Sequence, residues 1–226
     1  MLKVPSTGVQ PGEDRDLNCY PLSLKRIDRI FFKAFSFFTR HGYDLKVEGL
    51  ENIDPSSKYI FCPNHETMAD PLWVWTALRM DGDPGQIATV AAEEFLDGTL
   101  SRMAFRAQGG IPVDRRGDFT GALRRAESVI RDERRYLLIH TAGTRTRNGE
   151  IGEFKKGAAV IAAAVGVDIV PVCITGAGKI YPIGRRFPKL LGRYPLTIKF
   201  GHPVSCEGKT SDEIMRSVKE SILSMR

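Results

Sequence analysis

The sequence predicts an α/β fold: a mixed, largely parallel sheet flanked by helices. Short apolar runs such as Tyr59–Cys62 and Tyr136–Ile139 have the length of buried strands, and they alternate along the chain with segments of helical periodicity. That alternation is typical of a sheet with helices on both faces. With 226 residues, 42% hydrophobic content and no internal repeat, the chain is predicted to form a single domain with one hydrophobic core and an N-terminal appendage.

Residues 1–22 are predicted to form a flexible arm, because they are rich in Pro, Gly and charge and show no periodicity. An amphipathic helix is predicted over residues 23–42, where Ser23 can cap the start and Gly42 can end the helix. Its apolar positions follow the i, i+3, i+4, i+7 pattern. They are Ile27, Ile30, Phe31, Ala34, Phe35 and Phe38. Phe32 and Phe37 fall outside this stripe, so the apolar face is broad.

Two roles remain open for this helix. Its phenylalanines and interspersed basic residues suit the interface of an anionic bilayer. Each basic residue near such a surface contributes about 1 kcal/mol, and each buried aromatic about 1.5–3 kcal/mol. The same stripe could instead pack on the protein's own core, as it does in most amphipathic helices.

The main domain is predicted to span residues 43–226. Strands are expected from Leu45 to Val47 and over residues 59–62, 87–92, 111–113, 136–139, 168–174 and 196–200. Helices are expected after Pro71 and over residues 95–105, 119–135, 157–165 and 211–224, the last capped by Ser211. The helix over 119–135 should present an arginine-rich outer face. Its arginines are Arg124, Arg125, Arg131, Arg134 and Arg135.

The turn after Cys62 carries the most informative residues. It reads Pro63-Asn64-His65-Glu66-Thr67-Met68-Ala69-Asp70-Pro71. Residues five apart on a helix point about 140° away from each other, so His65 and Asp70 can meet only where a turn runs into a helix. Sites in α/β sheets lie at such carboxyl ends of strands, and an imidazole held by a carboxylate can take a proton from a hydroxyl. A structural histidine in a turn is the competing interpretation of this pair alone.

Three further blocks follow the turn. They are Gly109-Gly110-Ile111-Pro112-Val113-Asp114-Arg115, Ile139-His140-Thr141-Ala142-Gly143-Thr144-Arg145-Thr146 and Ile169-Val170-Pro171-Val172-Cys173-Ile174. In this order and spacing, the four blocks resemble the glycerolipid acyltransferase family that includes 1-acylglycerol-3-phosphate acyltransferases. The turn matches the family's Asn-His-x-x-x-x-Asp block, the second block its Gly-x-Ile-x-x-x-Arg, and the fourth its Val-Pro-Val. The resemblance extends from about Val47 to Pro203.

The third block departs from the family pattern. The family usually has Pro-Glu-Gly-Thr-Arg, and this chain has Thr141-Ala142 in place of Pro-Glu. In the family the Glu is thought to help bind the acceptor, and a methyl group cannot accept a hydrogen bond. Losing a charged hydrogen bond costs roughly 1.5–3 kcal/mol. Either the residue was replaced, or the acceptor differs from the usual one, or activity is low by nature.

The resemblance implies an O-acyltransferase in which His65, assisted by Asp70, deprotonates an acceptor hydroxyl that attacks an acyl thioester directly. It implies acyl-CoA or acyl carrier protein as the donor and a lysophospholipid such as 1-acylglycerol 3-phosphate as the acceptor, with no metal and no cofactor. A different, non-phosphate lipid acceptor and a low-activity lipid-binding member of the fold are the alternatives.

The resemblance also points to substrate contacts. Arg115 and Arg145, each following a strand, would form a bidentate clamp for a phosphate monoester. Gly143 would let the backbone approach the ligand closely. Thr144 and Asn64 are the remaining residues of these blocks that are expected to bind substrate.

Composition bounds the partners and the compartment. The net charge of +6 and the sequence pI of about 9.2 suggest an anionic partner. An anionic membrane surface is expected, and the arginine-rich helix face could receive the anionic acyl donor. No nucleic acid is expected, because the basic residues form no recognised motif with aromatic residues.

Cysteines and histidines are scattered along the chain. The four cysteines lack metal-ligand spacing and are expected to be reduced; they are Cys19, Cys62, Cys173 and Cys206. The four histidines are too dispersed along the chain to predict a metal site; they are His41, His65, His140 and His202. For His140 a structural role is expected. No apolar leader and no 18-residue apolar segment occurs, so a cytoplasmic protein on the inner face of the cell membrane is predicted.

Overall fold

The computed structural model describes residues 26–80, 84–92, 105, 110–113, 119–133, 135–140, 152–185, 187–189 and 192–226. The predicted arm over residues 1–22 and the helix expected over residues 95–105, apart from Phe105, lie outside these ranges. So do residues 114–118 and 141–151, which contain parts of two of the family blocks.

One sheet forms the centre of the described structure. Its strands are β1 (Asp44–Glu48), β2 (Tyr59–Pro63), β3 (Ile87–Ala92), β4 (Ile111–Val113), β5 (Tyr136–Ile139), β6 (Asp168–Thr175) and β7 (Pro195–Phe200). Their order is β1-β7-β6-β2-β5-β3-β4. Only β6 and β7 pair antiparallel among these strands, which confirms the predicted mixed, largely parallel sheet. Because β2 is the middle strand, the turn after Pro63 lies at the middle of the sheet edge.

Besides two short 3₁₀ helices, Leu50–Asn52 and Pro84–Gln86, six α-helices accompany the strands within the described residues. They are α1 (Arg26–Gly42), α2 (Asp70–Ala77), α3 (Phe119–Arg131), α4 (Gly157–Val165), α5 (Ala177–Ile180) and α6 (Ser211–Ser224). The sequence suggested Ser211 as the N-cap of α6, but the N-cap is Thr210. The Thr210 hydroxyl accepts from the Glu213 amide, and the Glu213 carboxylate accepts from the Thr210 amide at 2.8 Å.

Helices cover both faces of the sheet, as predicted. On one face lie α3, α4 and α6, which contribute buried residues such as Ala126, Ile161 and Val218. The other face is covered by α1, α2 and α5, with Trp73 of α2 and Ile180 of α5 fully buried. The sheet is therefore apolar on both sides, which suits parallel strands.

Arg135 corrects the predicted arginine-rich outer face. The chain turns after α3 so that the Arg135 amide donates to the Val129 carbonyl at 3.0 Å, and the residue is only 6% exposed. Its guanidinium donates to the Glu133 carboxylate at 3.0 Å and contacts the Gly85 carbonyl. The prediction is wrong for Arg135, whereas Arg124 on α3 is exposed.

The inner face of α1 packs on α2. Phe32 is 1% exposed and its ring centroid lies 5.1 Å from that of Trp75. Phe35 lies 4.8 Å from Trp73 by the same measure. Phe32 falls outside the stripe chosen from the sequence and Phe35 belongs to it, so the buried face of α1 coincides only in part with that stripe.

The outer face of α1 exposes large apolar side chains. Ile30, Phe31, Phe37 and Phe38 are 67%, 53%, 59% and 54% exposed. Three of these four belong to the predicted stripe, so most of that stripe faces outward from the described structure, with Phe35 as the exception. None of the described helices combines the length and the apolar character needed to cross a membrane.

Candidate active site

The turn between β2 and α2 brings the predicted pair together. β2 ends at Pro63 and α2 begins at Asp70, with Pro71 in its first turn. The His65 Nδ1 lies 2.9 Å from Asp70 Oδ2. The five-residue spacing therefore closes a contact that a continuous helix would prevent. The His65 side chain is 15% exposed and the Asp70 side chain is completely buried.

The Asp70 carboxylate is surrounded by donors from its own turn. The Glu66 amide donates to Oδ2 at 2.9 Å, and the Thr67 amide donates at 3.0 Å. The Thr67 hydroxyl donates to Oδ1 at 2.7 Å and accepts from Trp73 Nε1 at 3.2 Å. These bonds fix the carboxylate in one orientation, so the imidazole that it holds is fixed as well. Sequence reasoning missed Thr67, although a hydroxyl residue three positions before a helix-starting Asp is a readable signal.

The charge of Asp70 follows from its partners. Burial alone raises the pKa of this carboxyl, but the adjacent imidazoles of His140 and His65 outweigh burial and bring the pKa to about 2. Asp70 is therefore ionised at neutral pH, and a proton gained by His65 is stabilised by a full negative charge.

A second imidazole lies beside the first. His140 follows β5, the neighbour of β2, and its ring centroid is 4.0 Å from that of His65. Its Nε2 is 3.6 Å from Asp70 Oδ2, which is longer than a hydrogen bond, so the contact is electrostatic. Burial, followed by the proximity of His65, lowers the pKa of His140 and keeps this ring neutral at pH 7. The sequence suggested a structural role for His140 and gave no sign of this contact.

Asn64 and Glu66 attach the turn to the neighbouring β6–α5 segment. The Asn64 side chain donates to the Ile174 carbonyl at 2.8 Å and accepts from the Ile174 amide at 2.7 Å. The Glu66 carboxylate accepts from the Gly178 amide at 2.9 Å, and burial raises its pKa. Both amide atoms of Asn64 are thus used within the protein, and its expected part in substrate binding stays a prediction.

The other substrate-binding residues predicted from the sequence are not among the described residues. They are Arg115, Gly143, Thr144 and Arg145, together with the departing residue Ala142. The strands that precede them, β4 and β5, belong to the parallel part of the sheet that contains β2. The chain therefore leaves Val113 and Ile139 at the same sheet edge as the His65 turn.

This arrangement can accept a proton. An imidazole whose Nδ1–H donates to a fixed, ionised carboxylate carries its lone pair on Nε2, and the resulting imidazolium is stabilised by the same carboxylate. Such a pair at the carboxyl edge of a sheet is suited to activating a hydroxyl.

Known proteins are similar to this chain in sequence, and a solved structure is similar to it in fold. A 1-acyl-sn-glycerol-3-phosphate acyltransferase alpha of Mus musculus is 26% identical over 190 residues, which is 82% of this chain and 64% of that protein. A 1-acyl-sn-glycerol-3-phosphate acyltransferase of Streptococcus pneumoniae is 27% identical over 166 residues, which is 73% of this chain and 57% of that protein. The chain thus spans less than two thirds of the length of these relatives.

A solved structure gives the same result. The crystal structure of the 1-acyl-sn-glycerophosphate (LPA) acyltransferase PlsC from Thermotoga maritima superposes with a TM-score of 0.67 at 26% identity, covering 87% of this chain and 77% of that one. The model of the family described as Acyltransferase matches residues 44–175, which include β1 to β6 and both imidazoles. That match extends over more than half of the chain, and the chain belongs to the acyltransferase family.

Proposed function

We propose that this chain is an O-acyltransferase that moves a fatty acyl group from an acyl thioester to a hydroxyl of a lysophospholipid such as 1-acylglycerol 3-phosphate. The observation that carries the proposal is the 2.9 Å contact between His65 Nδ1 and the ionised, buried Asp70. Family membership supplies the reaction class, and the similar proteins named above supply the acceptor.

The proposed reaction is a single displacement. His65 Nε2 removes the proton of the acceptor hydroxyl while the hydroxyl oxygen attacks the thioester carbonyl. The tetrahedral intermediate collapses with cleavage of the C–S bond, and the imidazolium returns its proton to the leaving thiolate. Asp70 acts by orienting the imidazole and by stabilising its positive charge. The ester and the free thiol are the products.

The donor is proposed to be acyl-CoA or acyl carrier protein, both of which are anionic. An exposed cation on α3 such as Arg124 would attract either donor. The buried Arg135 cannot contribute to such a surface. The acceptor phosphate is proposed to bind between Arg115 and Arg145, with Gly143 and Thr144 lining the approach.

Membrane attachment is proposed through α1, with residues 1–22 as an arm, residues 23–42 as the interfacial helix and residues 43–226 as the catalytic domain. The outward-facing Ile30, Phe31, Phe37 and Phe38 support this arrangement, because they would leave water on insertion among lipid headgroups. Arg29 and Lys33 are exposed on the same helix and suit an anionic surface. The proposed location is the inner face of the cell membrane.

The test of the reaction compares His65→Ala with His202→Ala, since His202 is exposed and lies outside the site. Release of thiol from an acyl thioester is followed in the presence of lysophosphatidic acid. We expect His65→Ala to abolish turnover with unchanged circular dichroism, and His202→Ala to retain it. Near-normal turnover by His65→Ala would contradict the mechanism.

A different acceptor is the second candidate, and Ala142 is the observation that favours it. If a phosphate binds at the arginine clamp, Ala142→Glu could order the arginines or accept from the glycerol hydroxyl, which would strengthen lysophosphatidic acid use by up to roughly 1.5–3 kcal/mol. If the natural acceptor lacks a phosphate, the new carboxylate would be unpaired and lower activity. The sign of the change in lysophosphatidic acid acylation separates the two, and the matched isostere Ala142→Gln measures the contribution of charge.

A further inference from the structure

Two histidines that are far apart in the sequence converge on one carboxylate. His65, Asp70 and His140 each offer a ligand atom, and these three atoms all lie within 4.8 Å of one another. The dispersed histidines gave no indication of a metal site in the sequence. The parallel pairing of β2 and β5 brings them together, because His65 and His140 each follow one of these strands.

We propose that His65, Asp70 and His140 bind a zinc ion, and that the bound ion switches off the proposed acyl transfer. The inhibitory part rests on the proposed function, whereas the binding part does not. Two imidazole nitrogens and one carboxylate oxygen are a common ligand set for Zn²⁺, with a fourth position left for water.

The distances are close to those that zinc requires. With metal–ligand bonds of about 2.0–2.2 Å, neighbouring ligand atoms of a tetrahedral ion are roughly 3.3–3.6 Å apart. His65 Nδ1 and His140 Nε2 lie 2.9 Å and 3.6 Å from Asp70 Oδ2, so these two separations change by less than an ångström on binding. The ring nitrogens of His65 and His140 lie no more than 4.8 Å apart, so they need to approach each other by little more than an ångström at most to reach the tetrahedral spacing.

An unsatisfied polar atom is the second observation. His140 Nε2 is buried and makes no hydrogen bond within the part of the chain that the structure describes. A buried polar atom without a partner is uncommon and calls for an explanation. Coordination to a metal would satisfy it, and Asp70 is already oriented by the Thr67 hydroxyl and by two turn amides.

Zinc binding and base catalysis exclude each other for a simple chemical reason. When Nδ1 of His65 coordinates zinc, the imidazole hydrogen moves from Nδ1 to Nε2. Nε2 then has no lone pair to accept the proton of an acceptor hydroxyl. The metal also neutralises the Asp70 charge that stabilises the imidazolium. The bound ion therefore removes the base while the separations of His65 Nδ1 and His140 Nε2 from Asp70 Oδ2 change by less than an ångström.

The binding test uses chelator-stripped full-length protein titrated with ZnCl₂ in a calorimeter. The variants are His140→Phe, which keeps the ring volume, His140→Gln as a second substitution, and His202→Asn as an exposed control. Losing even the hydrogen-bond partner of a ligand typically costs about 10–100-fold in affinity, so loss of the ligand itself should cost at least about 100-fold. We expect this loss in both His140 variants and no change in His202→Asn.

A Co²⁺ titration identifies the ligands, because tetrahedral cobalt gives intense visible absorption that should be absent from both His140 variants. Equal zinc affinity in the wild type and both His140 variants, or the absence of a site in the wild type, would overturn the proposal.

The activity test measures each variant against its own zinc-free rate. We expect zinc to inhibit the wild type reversibly, with EDTA restoring the rate, and to leave the His140 variants uninhibited at the same concentration. Equal inhibition of all variants would overturn the switch. If none of the proteins transfers acyl groups, the calorimetric result still decides the zinc site, and the failure belongs to the proposed function.

Discussion

The His65 turn and α1 both contact Trp73 but use their side chains in opposite ways. In the turn, the polar atoms of Asp70 and Thr67 face inward and are hydrogen-bonded, and Trp73 donates to that network. α1 instead carries apolar side chains on both faces, and its outer face leaves Phe31 half exposed. Rigid, satisfied polar groups are typical of a site that performs chemistry, whereas an exposed apolar face is typical of a surface that meets another phase.

The largest expected effect comes from breaking the polar side of this contrast. Asp70→Asn removes the charge that stabilises the imidazolium and presents an NH₂ group to donors. In Ser-His-Asp triads a buried Asp orients the histidine in the same way, and by comparison with them we expect turnover to fall about 10⁴-fold. The matched control is Asp168→Asn at the start of β6, on the opposite edge of the sheet. Turnover in Asp70→Asn within tenfold of the wild type would show that His65 works without its carboxylate.

The next effect separates the two faces of α1. Phe32→Ala should cost about 3–5 kcal/mol in the free energy of unfolding, because this side chain is 1% exposed and contacts Trp75. Phe31→Ala, one residue away and 53% exposed, should change it by less than about 0.5 kcal/mol. Urea denaturation measures both. Equal losses would mean that α1 has no distinct inner face.

The exposed side chain of Phe38 tests the outer face of α1. If α1 lies on lipid, Phe38→Ser should weaken binding to anionic vesicles by about 1.5–3 kcal/mol, with the stability of the domain unchanged. Vesicle sedimentation at fixed lipid measures the partition, and Leu223→Ser on α6 is the matched control, since Leu223 is also exposed. Vesicle binding that responds equally to both changes would assign no special role to α1.

The smallest effect concerns the hydroxyl beneath the site. Thr67→Val keeps the shape of the side chain but leaves Trp73 Nε1 and one oxygen of Asp70 without this partner. We expect a cost of about 1–3 kcal/mol in the free energy of unfolding. Thr67→Ser, which retains the hydroxyl, should recover most of it. An unchanged free energy of unfolding in Thr67→Val would show that the hydrogen-bond network does not depend on this hydroxyl.

Local patterns were sufficient to predict the sheet and the His65–Asp70 pair. The pair depends only on a turn between an apolar run and a proline, both of which are visible in a few residues. β2 could be placed at the centre because its run is uniformly apolar, and all five of its residues are buried.

Contacts between distant elements could not be predicted. The position of His140 depends on the pairing of β5 with β2, which no local pattern encodes. Periodicity identified α1 as amphipathic but could not tell which flank would meet Trp75, and Phe32 was therefore left outside the predicted apolar stripe. Arg135 continued a helical pattern in sequence, yet the pairing of its guanidinium with Glu133 turned it inward.

Under the proposed function, the ring contacts of Phe32 with Trp75 and of Phe35 with Trp73 would affect substrate choice. These contacts join α1 directly to α2, the helix that begins at Asp70. With α1 resting on a bilayer, the height of the imidazole above the headgroups is then set by packing and not by a flexible tether. An imidazole held at a fixed height would react with the glycerol hydroxyl that lies at the matching depth. Positional selectivity would therefore change when the two tryptophans are replaced by smaller residues.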